Sequence, residues 1–206
     1  MMMKTQFEAC LKQCSAIAIL RGVQPAEITD VCAVLCKAGI TLLEIPLNSP
    51  DAFASIAKAA SFCAEHGMMA GAGTVLTPED AEQVREAGGT FIISPDTDPD
   101  VIRRTRELGM VSIPGFFTAT EGFTAVKAGA DYLKLFPAKL GPGYVKDLKA
   151  VIKTPILAVG GVDAGNIPDF MKVCAGVGVG SALYKPGKAL DAIAADAAEV
   201  VRAVRS

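Results

Sequence analysis

The chain has 206 residues, 51% of them hydrophobic and 20% charged, which argues against disorder and supplies enough length for one sizeable core. A formal net charge of -2, no Trp and three Tyr leave neither a basic stripe nor stacking material, so nucleic acid is not an expected partner. No apolar run reaches membrane-spanning length, and the opening Met1-Met2-Met3-Lys4-Thr5-Gln6-Phe7-Glu8 lacks the apolar core of a signal peptide. No membrane partner and a cytoplasmic location are therefore expected.

Taken in chain order, an amphipathic helix is predicted from about Thr5 to Cys14. Ala16-Ile17-Ala18-Ile19-Leu20 is a first strand ending at Arg21-Gly22, and a helix follows from Pro25 to Ala38 with Gly39 as C-cap. Leu42 to Leu47 is a second strand, with its helix running from Pro50 to about His66. Met68 to Val75 is a third, and Thr77 and Pro78 suit the N-cap and first position of the helix after it. Phe91 to Pro95 and Val111 to Pro114 are the fourth and fifth strands, with helices over 98–108 and 120–128. Ala130 to Pro137 holds the sixth, Ile156 to Gly161 the seventh and Gly176 to Ser181 the eighth. Their helices are placed at 143–152, 165–173 and from Gly187 onward.

Alternating strands and helices imply a parallel sheet. Eight such units predict a closed α/β barrel of the (β/α)8 (TIM barrel) type, with one extra N-terminal helix and a single domain over 1–206. The competing fold is an open doubly wound sheet. The glycine-rich dinucleotide turn is absent after the first strand, where Leu20-Arg21-Gly22-Val23 stands.

Six cysteines include Cys10 with Cys14 and Cys32 with Cys36, each pair on one helix face. A zinc site wants tighter spacing and more ligands, and His66 is the only histidine. Reduced core cysteines are expected, and neither a metal nor a cofactor.

Strand six carries the oddity. Strands buried on both faces read as near-continuous apolar runs, yet Tyr132-Leu133-Lys134-Leu135-Phe136 has a lysine at its centre. Desolvation favours the neutral, nucleophilic amine, the form that imine-forming lysines need; a lysine snorkelling to water is the bland alternative. Barrel chemistry sits at the C-terminal strand ends. Those ends bring Arg21, Glu44, Thr74, Ser94-Pro95 and Lys134 together, and Gly160-Gly161 with Gly180-Ser181 stand on the last two strands, where barrels often bind phosphate. An ion network of Arg21, Glu44 and Lys134 that merely closes the barrel competes with a functional site. A phosphate site, a buried lysine and a carboxylate together suggest carbon–carbon cleavage of a phosphosugar through an imine.

The motifs Ile17-Ala18-Ile19-Leu20-Arg21-Gly22, Glu44-Ile45-Pro46-Leu47-Asn48-Ser49-Pro50, Gly71-Ala72-Gly73-Thr74-Val75, Leu133-Lys134-Leu135-Phe136-Pro137 and Ala158-Val159-Gly160-Gly161-Val162 resemble those of the small class I aldolases that cleave 2-keto-3-deoxy-6-phosphosugar acids. The resemblance covers nearly the whole chain. It implies cleavage of a phosphorylated keto-deoxy sugar acid to pyruvate and glyceraldehyde 3-phosphate. Lys134 would form the imine and Glu44 would act as general acid/base. Arg21, Thr74, Pro95, Phe136 and Val159 would contact substrate, and Gly160, Gly161, Gly180 and Ser181 would hold its phosphate. Homotrimers are usual in the family. Asn48-Ser49 and Val159 look like its galactonate branch rather than the gluconate one. The alternatives are a gluconate-type or short-chain hydroxy-keto acid aldolase, an isomerase on the same barrel, and a non-catalytic phosphosugar-binding protein. Phe116-Phe117 depart from the family's smaller residues and are expected to narrow the pocket or reshape its rim.

Overall fold

Residues 2–206 are described by a computed structural model. Helix α1 (Met2–Gln13) precedes the barrel. The units then run β1 (Ala16–Ile19), α2 (Ile28–Ala38), β2 (Leu42–Pro46), α3 (Ala52–Glu65), β3 (Met69–Gly73), α4 (Pro78–Glu86), β4 (Phe91–Ile93) and α5 (Pro99–Glu107). They continue with β5 (Val111–Ile113), β6 (Gly115–Phe116), α6 (Ala119–Ala128), β7 (Leu133–Leu135), α7 (Gly141–Val151), β8 (Ile156–Val159), α8 (Ile167–Met171), β9 (Gly176–Val179) and α9 (Leu190–Ala203). Helix α4 begins as its sequence dictates. Thr77 Oγ1 accepts from the Asp80 N–H at 3.1 Å, Asp80 Oδ2 accepts from the Thr77 N–H at 3.2 Å, and Pro78 takes the first turn. Helices α8 and α9 are shorter at their N-termini than the sequence suggests, because Gly165 and Gly187 lie in turns ahead of them.

All strand pairs are parallel, in the order β5-β4-β3-β2-β1-β9-β8-β7-β6. The end strands β5 and β6 are separated by Pro114 alone, so the sheet closes on itself and the open doubly wound alternative is ruled out. The count differs from the eight strands expected because the fifth is divided. Pro114 has no N–H to give a ladder, and the segment changes partner there. Val111 to Ile113 pair with β4, whereas Gly115 and Phe116 pair with β7. The Pro114 carbonyl still accepts from the Lys134 N–H at 2.8 Å.

The buried side chains form two clusters. Alternate strand residues such as Ala18, Leu43, Ala72, Leu133, Ala158 and Val179 pack outward under the helices. Their neighbours Ile17, Leu42, Met69, Phe91, Val111 and Leu157 fill the lumen. Helix α1 plugs the N-terminal end of the lumen. Its Phe7 is wholly buried, with ring centroids 5.4 Å from Phe91 and 5.1 Å from Tyr132, a burial that contributes about 1.5–3 kcal/mol. Asp131 ties the same end together, accepting from the Ser112 N–H at 3.0 Å, from Lys4 of α1 at 3.1 Å and from Arg106 of α5. Among the described residues these side chains fill the bottom of the lumen, and the cavity lies at its C-terminal mouth.

All six cysteines are free and none is exposed. A hydrogen bond with Cys32, then burial, pushes the Cys63 thiol far above its usual range, as expected for core thiols.

Candidate active site

The mouth holds a cavity of about 750 Å³. Lys134 and Glu44 reach it from opposite sides of the lumen. Register places Lys134 beside Gly115 and Leu157, and Glu44 beside Ile19 and Gly71. Both side chains follow the inward parity of their strands, one step nearer the mouth than Tyr132 and Leu42. They are 5% and 1% exposed, so both are largely withdrawn from water, and Lys134 turns into the cavity rather than snorkelling to the outer surface. Its Nζ lies 4.9 Å from the Phe136 ring centroid, within cation–π reach.

Electrostatics favour reactivity over mutual neutralisation. Burial lowers the Lys134 pKa below the ordinary lysine value; Glu44 raises it in part, and Arg21 lowers it again. Burial likewise pushes the Glu44 carboxyl up, with Lys134 and then Arg21 drawing it back. Among the described residues no ion pair within 4.0 Å involves Arg21, Glu44 or Lys134. A closing ion network is therefore not what these groups form. Glu44 Oε2 is buried with no hydrogen-bond partner, a costly state that a molecule in the cavity could relieve.

Three neighbours set these groups in place. Gly73 lies under Glu44: a Cβ there would come within 1.8 Å of Oε1. Arg21 Nη1 donates to Asn48 Oδ1 at 2.5 Å, which aims the guanidinium from the end of β1. Val159 borders the cavity and packs on Gly178, where a Cβ would meet it at 2.8 Å.

The second end of the cavity is backbone. Gly160 and Gly161 follow β8 with φ of 91° and 77°, conformations open to glycine at little cost. Their carbonyls are turned to protein donors: Ala138 N–H at 3.2 Å on Gly160, Asn166 Nδ2 at 2.8 Å on Gly161. The Gly180 carbonyl accepts from Leu183 and Tyr184 N–H at 2.8 and 2.9 Å. With these carbonyls occupied by protein donors, the two glycine turns form a backbone concavity on the cavity wall, a setting in which backbone N–H groups can bind an anion.

The structure thus brings Arg21, Glu44, Lys134, Phe136, Val159, Gly160, Gly161, Gly180 and Ser181 to one cavity. Thr74 and Pro95 stand at the ends of β3 and β4 but do not line it. Thr74 instead holds a left-handed φ of 57°, strain of order 1–3 kcal/mol for a β-branched residue. Of the two expectations for the phenylalanines, a narrowed pocket is not what the structure shows. Phe116 sits on the outward parity of β6, buried among the helices against Gly122, and Phe117 is a rim side chain 5.8 Å from the Tyr144 ring; neither enters the cavity. Two residues were missed. Gly73 stands within a quoted motif, but nothing in a sequence shows that Glu44 lies on it. Lys185 lines the cavity from beyond Ser181, a segment with no pattern of its own.

A parallel barrel whose mouth carries a buried lysine, a buried carboxylate and paired glycine turns has the groups that an imine-type lyase needs. Comparison with known proteins agrees. Residues 7–202 match the model for "Aldolase: KDPG and KHG aldolase", and the chain belongs to that family. It is 46% identical over 175 residues to the probable 2-dehydro-3-deoxy-6-phosphogalactonate aldolase of Rhizobium meliloti (strain 1021), covering 83% of this chain and 82% of that one. The 2-dehydro-3-deoxy-phosphogluconate aldolase of Treponema pallidum (strain Nichols) is 31% identical, with 82% and 80% covered. A solved structure described as "Native KDPGal structure" superposes with a TM-score of 0.89 at 42% identity, with 92% and 94% covered.

Proposed function

We propose that this chain is a class I aldolase that cleaves 2-dehydro-3-deoxy-6-phosphogalactonate to pyruvate and D-glyceraldehyde 3-phosphate. The observation that carries the reading is the pairing of buried Lys134 with unpartnered Glu44 in a cavity that ends in a glycine cradle. Lys134 attacks the keto carbon and water leaves, giving a protonated imine. The imine accepts the electron pair released when the bond between the third and fourth carbons breaks. Glu44 takes the proton from the fourth-carbon hydroxyl, so that this half leaves as the aldehyde, and returns it to the enamine carbon. Water then adds to the resulting imine, and the carbinolamine collapses to release pyruvate and free Lys134. Arg21, held by Asn48, faces the substrate carboxylate, with Phe136 and Val159 as the apolar walls. Gly160, Gly161, Gly180 and Ser181 hold the phosphate.

The higher identity to a galactonate-named relative than to a gluconate-named one favours the galactonate epimer. Val159 supports it, because an apolar wall leaves a misplaced hydroxyl unpaired. Pyruvate release from the two epimers, side by side, is expected to favour the galactonate form by about 10- to 100-fold in kcat/KM. Equal rates, or a preference for the gluconate form, would overturn the epimer assignment.

A cytoplasmic homotrimer belongs to the same reading. Among the described residues no helix is long and apolar enough to cross a membrane. Phe123 and Val126, one turn apart on α6 and 39% and 37% exposed, offer apolar material for an interface. Sedimentation equilibrium is expected to return three times the chain mass; a monomer would remove the trimer from the reading.

A further inference from the structure

The two ends of the cavity differ in their supply of charge. Arg21 and Lys134 stand at the reacting end. At the glycine cradle the charged side chains on the lining are Asp163 and Lys185. Asp163 is turned to local use, its Oδ1 accepting from the Gly165 N–H at 2.9 Å and the Asn166 N–H at 3.2 Å. An anion bound beside that carboxylate is repelled, and backbone N–H groups supply dipoles rather than a full counter-charge. Lys185 is the remaining cation, and among the described residues its ammonium has neither an ion pair nor a hydrogen bond.

Its backbone is held from both sides. Leu183 and Tyr184 are buried, and the Tyr184 hydroxyl donates to Glu27 Oε1 at 2.8 Å across 157 residues of chain. The Pro186 ring rests on Gly22 at the end of β1, so closely that a Cβ there would lie 2.8 Å from its Cγ. The segment spans from the cradle to the first strand, and Lys185 faces the cavity between two fixed neighbours. An unpaired lysine on the lining beside the paired glycines has the chemistry of a phosphate ligand, acting as a point charge.

We propose that Lys185 is a substrate-binding residue that neutralises the phosphate at the glycine cradle. The inference rests on the aldolase reading for the identity of the phosphate ester, though not for the presence of an anion site. Lys185 is exposed at the rim, so its contribution is screened by salt. It binds ground state and transition state alike, and its loss raises KM more than it lowers kcat.

Inorganic phosphate is the direct probe. Calorimetric titration is expected to show binding to the wild-type protein, weakened about tenfold in Lys185→Gln and largely restored in Lys185→Arg. Lys139 is the control: its stem lies 3.7 Å from the Cβ position of Gly161, yet it is not on the cavity lining, and Lys139→Gln is expected to bind as wild type. In pyruvate-release assays Lys185→Gln is expected to raise KM for the phosphorylated substrate about tenfold, with kcat within about twofold. An unphosphorylated hydroxy-keto acid is expected to react equally with both proteins, and the difference between them should shrink as salt is added. Unchanged phosphate affinity in Lys185→Gln overturns the proposal, as does an equal loss in Lys139→Gln or on both substrates. A wild-type protein that binds phosphate through Lys185 but releases no pyruvate leaves this inference standing and removes the aldolase reading.

Discussion

Borohydride added to the protein in the presence of pyruvate is expected to leave one reduced adduct, on Lys134, located by peptide mass spectrometry. The chain has several other lysines, but Lys134 is the one with a buried amine on the cavity. Its ammonium is disfavoured by desolvation, so a larger fraction is the free nucleophile at neutral pH than for a surface lysine. An adduct on a different lysine, or none, removes the imine mechanism. Lys134→Met is expected to lose cleavage by about 10⁴-fold or more and still melt at or above the wild-type temperature. The methionine fills similar space without a desolvated amine, and such sites trade stability for activity.

The same residue sets a pH dependence whose sign is fixed by its surroundings. Trapping needs the neutral amine, so its rate rises with pH through the Lys134 pKa, with a midpoint below the ordinary lysine value because burial lowers it. The Glu44 carboxylate is the neighbour that raises this pKa. Glu44→Gln deletes that influence, and the acid limb of the trapping profile is expected to move to lower pH. A limb that stays in place, or moves to higher pH, shows that Glu44 does not hold charge beside Lys134.

Gly73→Ala is the second change with a large expected effect, although Gly73 touches no substrate in the scheme. Its backbone is ordinary strand, so alanine introduces no strain of its own. The added Cβ would stand 1.8 Å from Glu44 Oε1 and 2.6 Å from Cδ, and the carboxylate has to move. Misplacing a reacting group by about 1 Å costs about 10²-fold in rate. Glu44→Gln is expected to cost about 10²- to 10⁴-fold, as the loss of a general acid/base. Pyruvate release gives the rate, and the urea midpoint checks that the barrel survives. Near-wild-type turnover in a folded Gly73→Ala protein means that the position of Glu44 is not critical.

Much of the barrel can be read from the chain because each unit carries its own local signals. Thr77, Pro78 and Asp80 start a helix through hydrogen bonds made within four residues, and Gly39 ends one with a φ of 97°. Lys134 stands out because a charge interrupts an apolar strand, which needs no partner to be noticed. The place of Phe116 was not legible for the opposite reason. Strands in a closed barrel are apolar on both faces, so composition does not tell lumen from helix side. The parity of β6 sends Phe116 outward to Gly122.

The amino-acid sequence by itself determined the alternation of strands and helices, the buried lysine, the carboxylate on the second strand and the paired glycines, since all are encoded by residue type and short-range spacing. Only the tertiary structure decided which of them share a cavity. Closure through the divided fifth strand sets the register that brings β2 and β7 to face each other across one lumen. That closure places Gly73 beneath Glu44 and Lys185 beside the cradle, contacts between residues distant in sequence. Thr74 and Pro95, at strand ends of the same kind, are left outside the cavity.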